Sequence, residues 1–222
     1  PRISNFTDIA PLEAVDELDV SYVSNISQFG DPDVVIIPGS KNTISDLLWM
    51  RQNGLEGKIL RHAAKGGIVF GICGGYQMLG PSISDPTGAE QKGTVRGMGL
   101  LPVTTVFEQE KRRTRVSGRF AKVGGALAEM SGVCYEGYEI HMGRTVLSKG
   151  TVPLVYMEEE GEQRQDGAQS DHVYGCYMHG IFDMSETVKT FLAAVLRKKG
   201  IDPSKITVRD RNAYKEEQYD RL

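Results

Sequence analysis

Cys73 stands in the run Gly71-Ile72-Cys73-Gly74-Gly75-Tyr76-Gln77-Met78-Leu79-Gly80, directly after the apolar segment Gly67-Ile68-Val69-Phe70. The apolar segment reads as a buried strand and the residues after Cys73 as a short helix. A cysteine set between glycines where a strand turns sharply into a helix has the layout of a nucleophile elbow. Such a turn holds the nucleophile on a strained backbone and exposes its side chain at the sheet edge. Gly71 and Gly75 lack the bulk that would stop the turn from closing. The helix N-terminus behind Cys73 favours the thiolate, the reactive form. The backbone N–H of Gly74 points toward an oxyanion formed on any carbonyl that Cys73 attacks.

A cysteine nucleophile needs a base that takes its proton and returns it to the leaving group. Of the four histidines, His179 is the best candidate. It lies in Gly175-Cys176-Tyr177-Met178-His179-Gly180-Ile181-Phe182, at the end of an apolar strand-like run, and parallel sheets assemble their sites at strand carboxyl ends. Spacing alone leaves open a histidine that is merely satisfied at a strand end. His62, near a helix end, suits the helix dipole, and His172 has no partner that the sequence names.

The elements that must carry these residues alternate in the first half. Leu18–Val23 and Asp33–Ile37 read as strands, Pro38–Thr43 as a loop, and the stretch from Thr43 as helix with Ile44, Leu47, Leu48, Leu55 and Ile59 on one stripe, broken at Gly54 and Gly57. Trp49 and the Leu47/Leu48 pair read as core. The second half is richer in strands: Met98–Phe107, Arg113–Lys122, Tyr135–Leu147, Thr151–Glu158 and His172–Phe182. Lys111-Arg112-Arg113 reads as a solvated turn and Glu158–Asp171 as a mobile surface loop. Ser185 is expected to cap a helix that runs to about Lys199 and stops at Gly200. The pattern predicts an α/β fold: an open, mostly parallel sheet with flanking helices and an added antiparallel strand region.

At 222 residues, 40% hydrophobic and 25% charged, the chain is an ordinary soluble globular protein. A formal charge of -3 leaves no footprint for nucleic acid or an anionic membrane. No stretch has the length of a membrane span and no signal peptide opens the chain. Three cysteines without metal-ligand spacing suit a reduced, cytoplasmic setting and predict no metal site. Cys134 and Cys176 read as small buried residues. The chain opens with Pro1 rather than Met and is expected to be a piece of a longer protein.

The elbow with Gln77, the Pro38-Gly39-Ser40-Lys41-Asn42-Thr43 loop and the late Tyr177-Met178-His179-Gly180-Ile181-Phe182 resemble a class I glutamine amidotransferase domain. Pro1-Arg2-Ile3-Ser4-Asn5-Phe6-Thr7-Asp8, Gly97-Met98-Gly99-Leu100-Leu101-Pro102 and Gly137-Tyr138-Glu139-Ile140-His141-Met142-Gly143-Arg144 narrow the resemblance to the cobyric acid synthase type. The resemblance implies a flavodoxin-like fold and a glutaminase domain over residues 1–200, followed by a charged extension over 201–222. It implies that Cys73 attacks the side-chain amide of glutamine to give a glutamyl thioester, with His179 as base and then acid. It places Gly74 with Gly39 and Ser40 in an oxyanion hole, where losing one donor costs roughly 3 kcal/mol of barrier. It gives Gln77 a part in holding the substrate. Glu139 and His141 are candidates for contacting the substrate or orienting His179, or for holding the strands together.

Two departures qualify the resemblance. Many class I amidotransferases carry a glutamate two residues after the histidine, where this chain has Ile181, so the sequence points to a Cys–His dyad or to a partner from elsewhere. Asp183 is too generic to assign. The chain also lacks a Gly-x-x-x-x-Gly-Lys-Ser/Thr loop. The resemblance therefore implies that ATP and magnesium belong to an N-terminal synthetase domain outside this chain. That domain would use the ammonia to amidate carboxylates of a corrinoid acceptor, the b, d, e and g side chains of adenosylcobyrinic acid a,c-diamide. Cofactors within this chain are expected to be none, and its partners glutamine and that synthetase domain. Readings left open are the glutaminase domain of a cobyrinic acid a,c-diamide synthase or of a cell-wall lipid II amidating enzyme, and a non-catalytic or redox-sensing domain on the same scaffold.

Overall fold

Buried β-branched runs set the centre of the molecule. In the computed structural model, which describes residues 3–159 and 162–205, β1 (Val34–Ile37) and β2 (Ile68–Ile72) pair in parallel, Val34 with Ile68 through Ile37 with Gly71. All five residues of β2 are buried, as befits a strand covered on both faces. Helix α1 (Ala10–Glu13) precedes β1, and α2 (Thr43–Gln52) and α3 (Leu55–Ala64) run between β1 and β2. The helical stretch is broken at Gly54, whose φ of 75° suits glycine, whereas Gly57 lies within α3 and interrupts nothing. Asn42 caps α2 through its side chain, which accepts from the Ser45 N–H.

After β2 come α4 (Gly74–Leu79), β3 (Ser82–Asp85) and β4 (Gly93–Arg96). The long strand β5 (Val103–Phe120) pairs antiparallel with β6 (Cys134–Leu147), with a register shift between Val106 and Lys111. β7 (Val155–Glu159) and β8 (Glu162–Asp166) form a hairpin ladder, and β9 (Ala168–Ser170) and β10 (Val173–Cys176) bring the chain back to the centre. The result is two open sheets. One has order β1-β2-β10-β9; the other has order β4-β3-β5-β7-β8 with β6 also on β5. The parallel part is confined to β1, β2 and β10 and the β3–β5 pair, so the antiparallel addition is as large as the parallel core. Helix α5 (Ser185–Lys198) closes the order and buries Val188, Phe191, Leu192 and Val195.

Several sequence expectations are corrected here. Leu18–Val23 forms no strand, although Leu18 and Val20 rest against the core. β-type composition becomes a strand only where a neighbouring backbone pairs with it. The segment expected as a loop after Glu158 carries β8 and β9: strands on a solvated edge need not be apolar, and Asp166 and Ala168 alone turn fully inward. The two strands expected around Lys111–Arg113 are the single strand β5. Met184, not Ser185, occupies the cap position of α5, without a side-chain bond. Trp49 is half-buried rather than core. Cys134 is exposed and Cys176 buried. Of the expected extension 201–222, the part beyond Lys205 lies outside the described residues.

Candidate active site

β2 and β10 both stop at one level, Ile72 opposite Cys176, and the chain diverges there to build a site. Cys73 has φ 53° and ψ -110°, and is the one non-glycine residue with positive φ among those described. Such backbone strain costs on the order of 1–3 kcal/mol and persists only where the surroundings enforce it. They do so here. The Cys73 N–H is tied to the Cys176 carbonyl at 2.9 Å, and the Cys73 carbonyl accepts from the Gln77 N–H at 3.1 Å. A Cβ on Gly75 would lie 1.9 Å from the Ile37 carbonyl oxygen, and one on Gly71 would lie 2.8 Å from the Tyr76 backbone. The glycines of the elbow are therefore required by close approach to β1 and to the start of α4.

His179 lies three residues beyond β10, not at the end of a longer strand. The ladder ends at Cys176 because the elbow leaves no partner beyond Ile72, and the freed chain swings across to β6. There Tyr138 and His179 exchange backbone hydrogen bonds, at 3.1 and 2.9 Å. This brings the imidazole into hydrogen-bonding contact with Cys73. Both side chains are buried, 7% and 4% exposed, so water is largely excluded from the pair.

The partner of the imidazole is Asp8. Its Oδ2 lies 2.7 Å from His179 Nδ1, and its Oδ1 accepts the Gly180 N–H at 2.9 Å. The orienting carboxylate thus comes from the N-terminal segment, not from position 181 and not from Glu139. Ile181 is fully buried apolar core. With Nδ1 facing a carboxylate, the tautomer is fixed and Nε2 is left for the sulphur and the leaving group. Burial pulls the His179 pKa down, but the hydrogen bonds with Asp8 and Cys73 outweigh it and push it from 6.5 up to about 10.

The Pro38–Thr43 loop meets the elbow. The Ser40 N–H lies 3.0 Å from where a Gly74 Cβ would sit, and a Gly39 Cβ would strike His179 Cε1 at 2.8 Å. Gly74, Gly39 and Ser40 therefore lie close together beside Cys73. The Ser40 hydroxyl is turned away toward Asp46 and the Asn42 N–H, leaving its backbone as the group that faces the elbow.

Gln77 is buried beside the elbow. Its Nε2 donates to the Met142 carbonyl at 3.0 Å and to Tyr177 Oη at 3.1 Å, while its Oε1 accepts from Thr43 at 3.2 Å. It joins the elbow, α2 and β6. Glu139 is fully buried and bound to Arg164 Nη2 at 2.5 Å, with His141 Nε2 at 3.7 Å. Burial alone would raise its pKa; His141 and Arg164 hold it down at about 2. His141 stacks on Tyr177 at 3.7 Å between ring centroids and has Nδ1 on the Gly143 carbonyl. The β6 backbone between these residues faces the nucleophile, with the Ile140 carbonyl 3.5 Å from Cys73 Sγ.

Sequence reasoning missed Asp8, 171 residues from its partner in the chain, and it missed the loop after β3. There Asp85 accepts four backbone N–H groups, from Gly88 to Gln91, each at 2.8 or 2.9 Å. The loop so fixed delivers the Glu90 carboxylate to the first turn of α2, where it accepts the Ile44 N–H at 3.0 Å beside Thr43. The spacing Asp85-x-x-Gly88-x-Glu90 was the available signal. Among the described residues no cluster of His, Cys, Asp and Glu could hold a metal ion, and no helix is long and apolar enough to cross a membrane.

A strained cysteine at a strand-to-helix turn, a histidine brought to it by a second parallel strand, and a backbone-lined space between them define a class I glutamine amidotransferase domain. Solved structures share the fold: a glutamine amidotransferase with TM-score 0.56 and 14% identity over 88% of this chain and 92% of that one, and PurLQS from Thermotoga maritima with TM-score 0.57 and 17% identity over 81% and 85%. The chain belongs to the CobB/CobQ-like glutamine amidotransferase domain family, whose profile matches residues 1–187. It is 51% identical to a cobyric acid synthase of Ruminiclostridium cellulolyticum, 43% to one of Lachnoclostridium phytofermentans and 40% to one of Listeria monocytogenes, in each case over the whole of this chain. It spans only 43–45% of the length of these relatives, as their C-terminal part.

Proposed function

We propose that Cys73, His179 and Asp8 hydrolyse glutamine to glutamate and ammonia. The observation that carries this reading is the buried line Cys73–His179–Asp8 at the elbow. The Cys73 sulphur gives its proton to His179 Nε2 and attacks the side-chain carbonyl carbon of glutamine. The oxyanion is met by the N–H of Gly74 and an N–H of the Gly39–Ser40 loop. His179 protonates the nitrogen, the C–N bond breaks, and ammonia leaves a glutamyl thioester. A water molecule, deprotonated by His179, attacks the thioester carbonyl; the C–S bond breaks and glutamate departs with the thiol restored. Asp8 keeps the imidazole in one orientation through both half-reactions.

Glutamine also presents an α-ammonium, and Glu90 is the carboxylate best placed to receive it, beside Thr43 and Gln77. Gln77 acts by fixing the Met142 carbonyl and the elbow rather than by direct contact. The Glu139–Arg164 pair supports β6 from behind.

The names of the relatives favour a cobyric acid synthase over the a,c-diamide and cell-wall alternatives. On that reading the ammonia serves ATP- and magnesium-dependent amidation of corrinoid side chains by the preceding part of the polypeptide. The test is labelling with a glutamine-derived chloroketone, located by mass spectrometry, in the protein and in Cys73→Ser and His179→Ala variants. An adduct on Cys73, absent in the serine variant and slowed in the alanine variant, supports the reading. A folded protein that hydrolyses no glutamine and takes no label on Cys73 refutes it. The glutamine skeleton is needed for selectivity, because Cys134 is exposed to any simple thiol reagent.

A further inference from the structure

We propose that Tyr138 is a positioning residue for His179: its ring lies along the imidazole, and its hydroxyl, held by Asn5, locks that ring to the segment carrying Asp8. The two rings stack with centroids 5.2 Å apart and 18° between planes. Asn5 Nδ2 donates both to Tyr138 Oη and, at 3.3 Å, to Asp8 Oδ1. Asn5 is itself fixed, since its Oδ1 accepts from the Thr7 N–H and hydroxyl. The same segment is fastened to the opposite side of the site, where the Ser4 N–H donates to the Gly39 carbonyl at 2.8 Å. Gly137 makes the approach of β6 feasible, because a Cβ there would lie 2.2 Å from the His179 carbonyl oxygen.

The imidazole is therefore held on every side: Asp8 at Nδ1, Cys73 across the site, the Gly39 backbone at Cε1, and the Tyr138 face. A histidine that shuttles a proton between sulphur, nitrogen and water must keep its ring plane while its charge changes. An aromatic face laid along the ring opposes rotation, and it attracts the ring most when the ring is cationic. The charged and titratable groups around His179 are Asp8, Cys73, Tyr138 and, beyond Gly180, Asp183. No other aromatic ring contacts the imidazole among the described residues.

The inference rests on the glutaminase reading, and its test separates the two. Tyr138→Phe, Tyr138→Leu, Asn5→Ala and Asp8→Asn are compared with the unaltered protein for kcat, KM and the pH profile of kcat/KM. Tyr138→Leu is expected to lower kcat about tenfold with KM within about twofold. It also moves the alkaline limb to lower pH, because the imidazolium loses a stabilising face. Tyr138→Phe and Asn5→Ala, which release the lock but keep the ring, are expected to lose about threefold each, and Asp8→Asn moves the same limb furthest. Asn5→Ala removes no core side chain and keeps the test open should Tyr138→Leu fail to fold. Wild-type kcat and pH profile in Tyr138→Leu or in Asn5→Ala would overturn the proposal, as would a Tyr138→Phe defect as deep as that of Tyr138→Leu. If the unaltered protein neither hydrolyses glutamine nor labels at Cys73, the glutaminase reading itself fails and this proposal with it.

Discussion

Asp8→Asn removes the charge of the orienting group and, because its Oδ1 still accepts the Gly180 N–H, turns an NH2 donor toward His179 Nδ1, which disfavours the tautomer that the carboxylate holds. The structure sets the size of the effect. The His179 pKa stands at about 10 against an ordinary 6.5, and each tenfold change in proton affinity corresponds to about 1.4 kcal/mol. Asp8 and Cys73 together therefore hold the proton by roughly 5 kcal/mol beyond what burial removes. A hydrogen bond to a charged partner contributes about 1.5–3 kcal/mol, and that is the size of the loss expected when the Asp8 charge is removed. Removing the charge should lower kcat for glutamine hydrolysis about a hundredfold, with KM little changed because Asp8 does not reach the substrate. The alkaline limb of kcat/KM should move to lower pH. Stability follows the same sign. A histidine with a raised folded-state pKa stabilises the fold fully below 6.5 and loses that contribution as pH rises toward 10, so the variant and the unaltered protein should converge in Tm at high pH. Glutamate release coupled to a dehydrogenase, read from pH 6 to 10, is the assay. A kcat within about threefold of the unaltered protein would refute Asp8 as the orienting group.

Three further outcomes follow from the packing. Arg164→Met takes the guanidinium away from the buried Glu139 carboxylate. It should cost about 3 kcal/mol, or roughly 10 °C in Tm by calorimetry. Because Glu139 is depressed from 4.5 to about 2, that gap should be full above pH 4.5 and close as pH falls toward 2. Gly75→Ala forces a methyl to within 1.9 Å of the Ile37 carbonyl; it should destabilise by at least about 2 kcal/mol and abolish chloroketone labelling of Cys73. Ile181→Glu introduced into Asp8→Ala should restore no hydrolysis and should lower Tm further, since position 181 is fully buried among apolar side chains.

How much of this was legible in the sequence depends on how local each feature is. The elbow is local: strand, strained cysteine and helix occupy a dozen consecutive residues, and the glycines that permit the turn are adjacent to it. His179 was legible through its own motif. Asp8 was not, because its role exists only when the N-terminal segment lies across the Gly39 loop and β6, and no periodicity reports such a crossing. The polar strand β8 was hidden for a different reason. Its ladder is made by backbone, its exposed faces carry Glu162, Gln163 and Gln165, and composition follows the faces. Gln77 enters the sequence reading only through the family resemblance, and no local pattern reports the three protein partners that its amide meets.

The displacement of the carboxylate from position 181 to position 8 has a packing logic. Beyond His179 the chain turns at Gly180, φ 75°, and enters the core at once: Ile181 is fully buried, and the Phe182 ring sits 5.6 Å from that of Phe70 on β2 and 5.0 Å from that of Phe191 on α5. Those rings press α5 against the central sheet just behind the elbow. A carboxylate at 181 would meet apolar neighbours and destabilise the contact that holds the His179 turn in place. Supplying the charge from another segment keeps the anchor apolar and the imidazole paired. It also makes the basicity of His179 depend on where residues 3–8 lie. Those residues already touch the Gly39 loop through Ser4 and the Tyr138 ring through Asn5, so a shift of one short segment would disturb the imidazole, the ring laid along it and the Gly39 loop together.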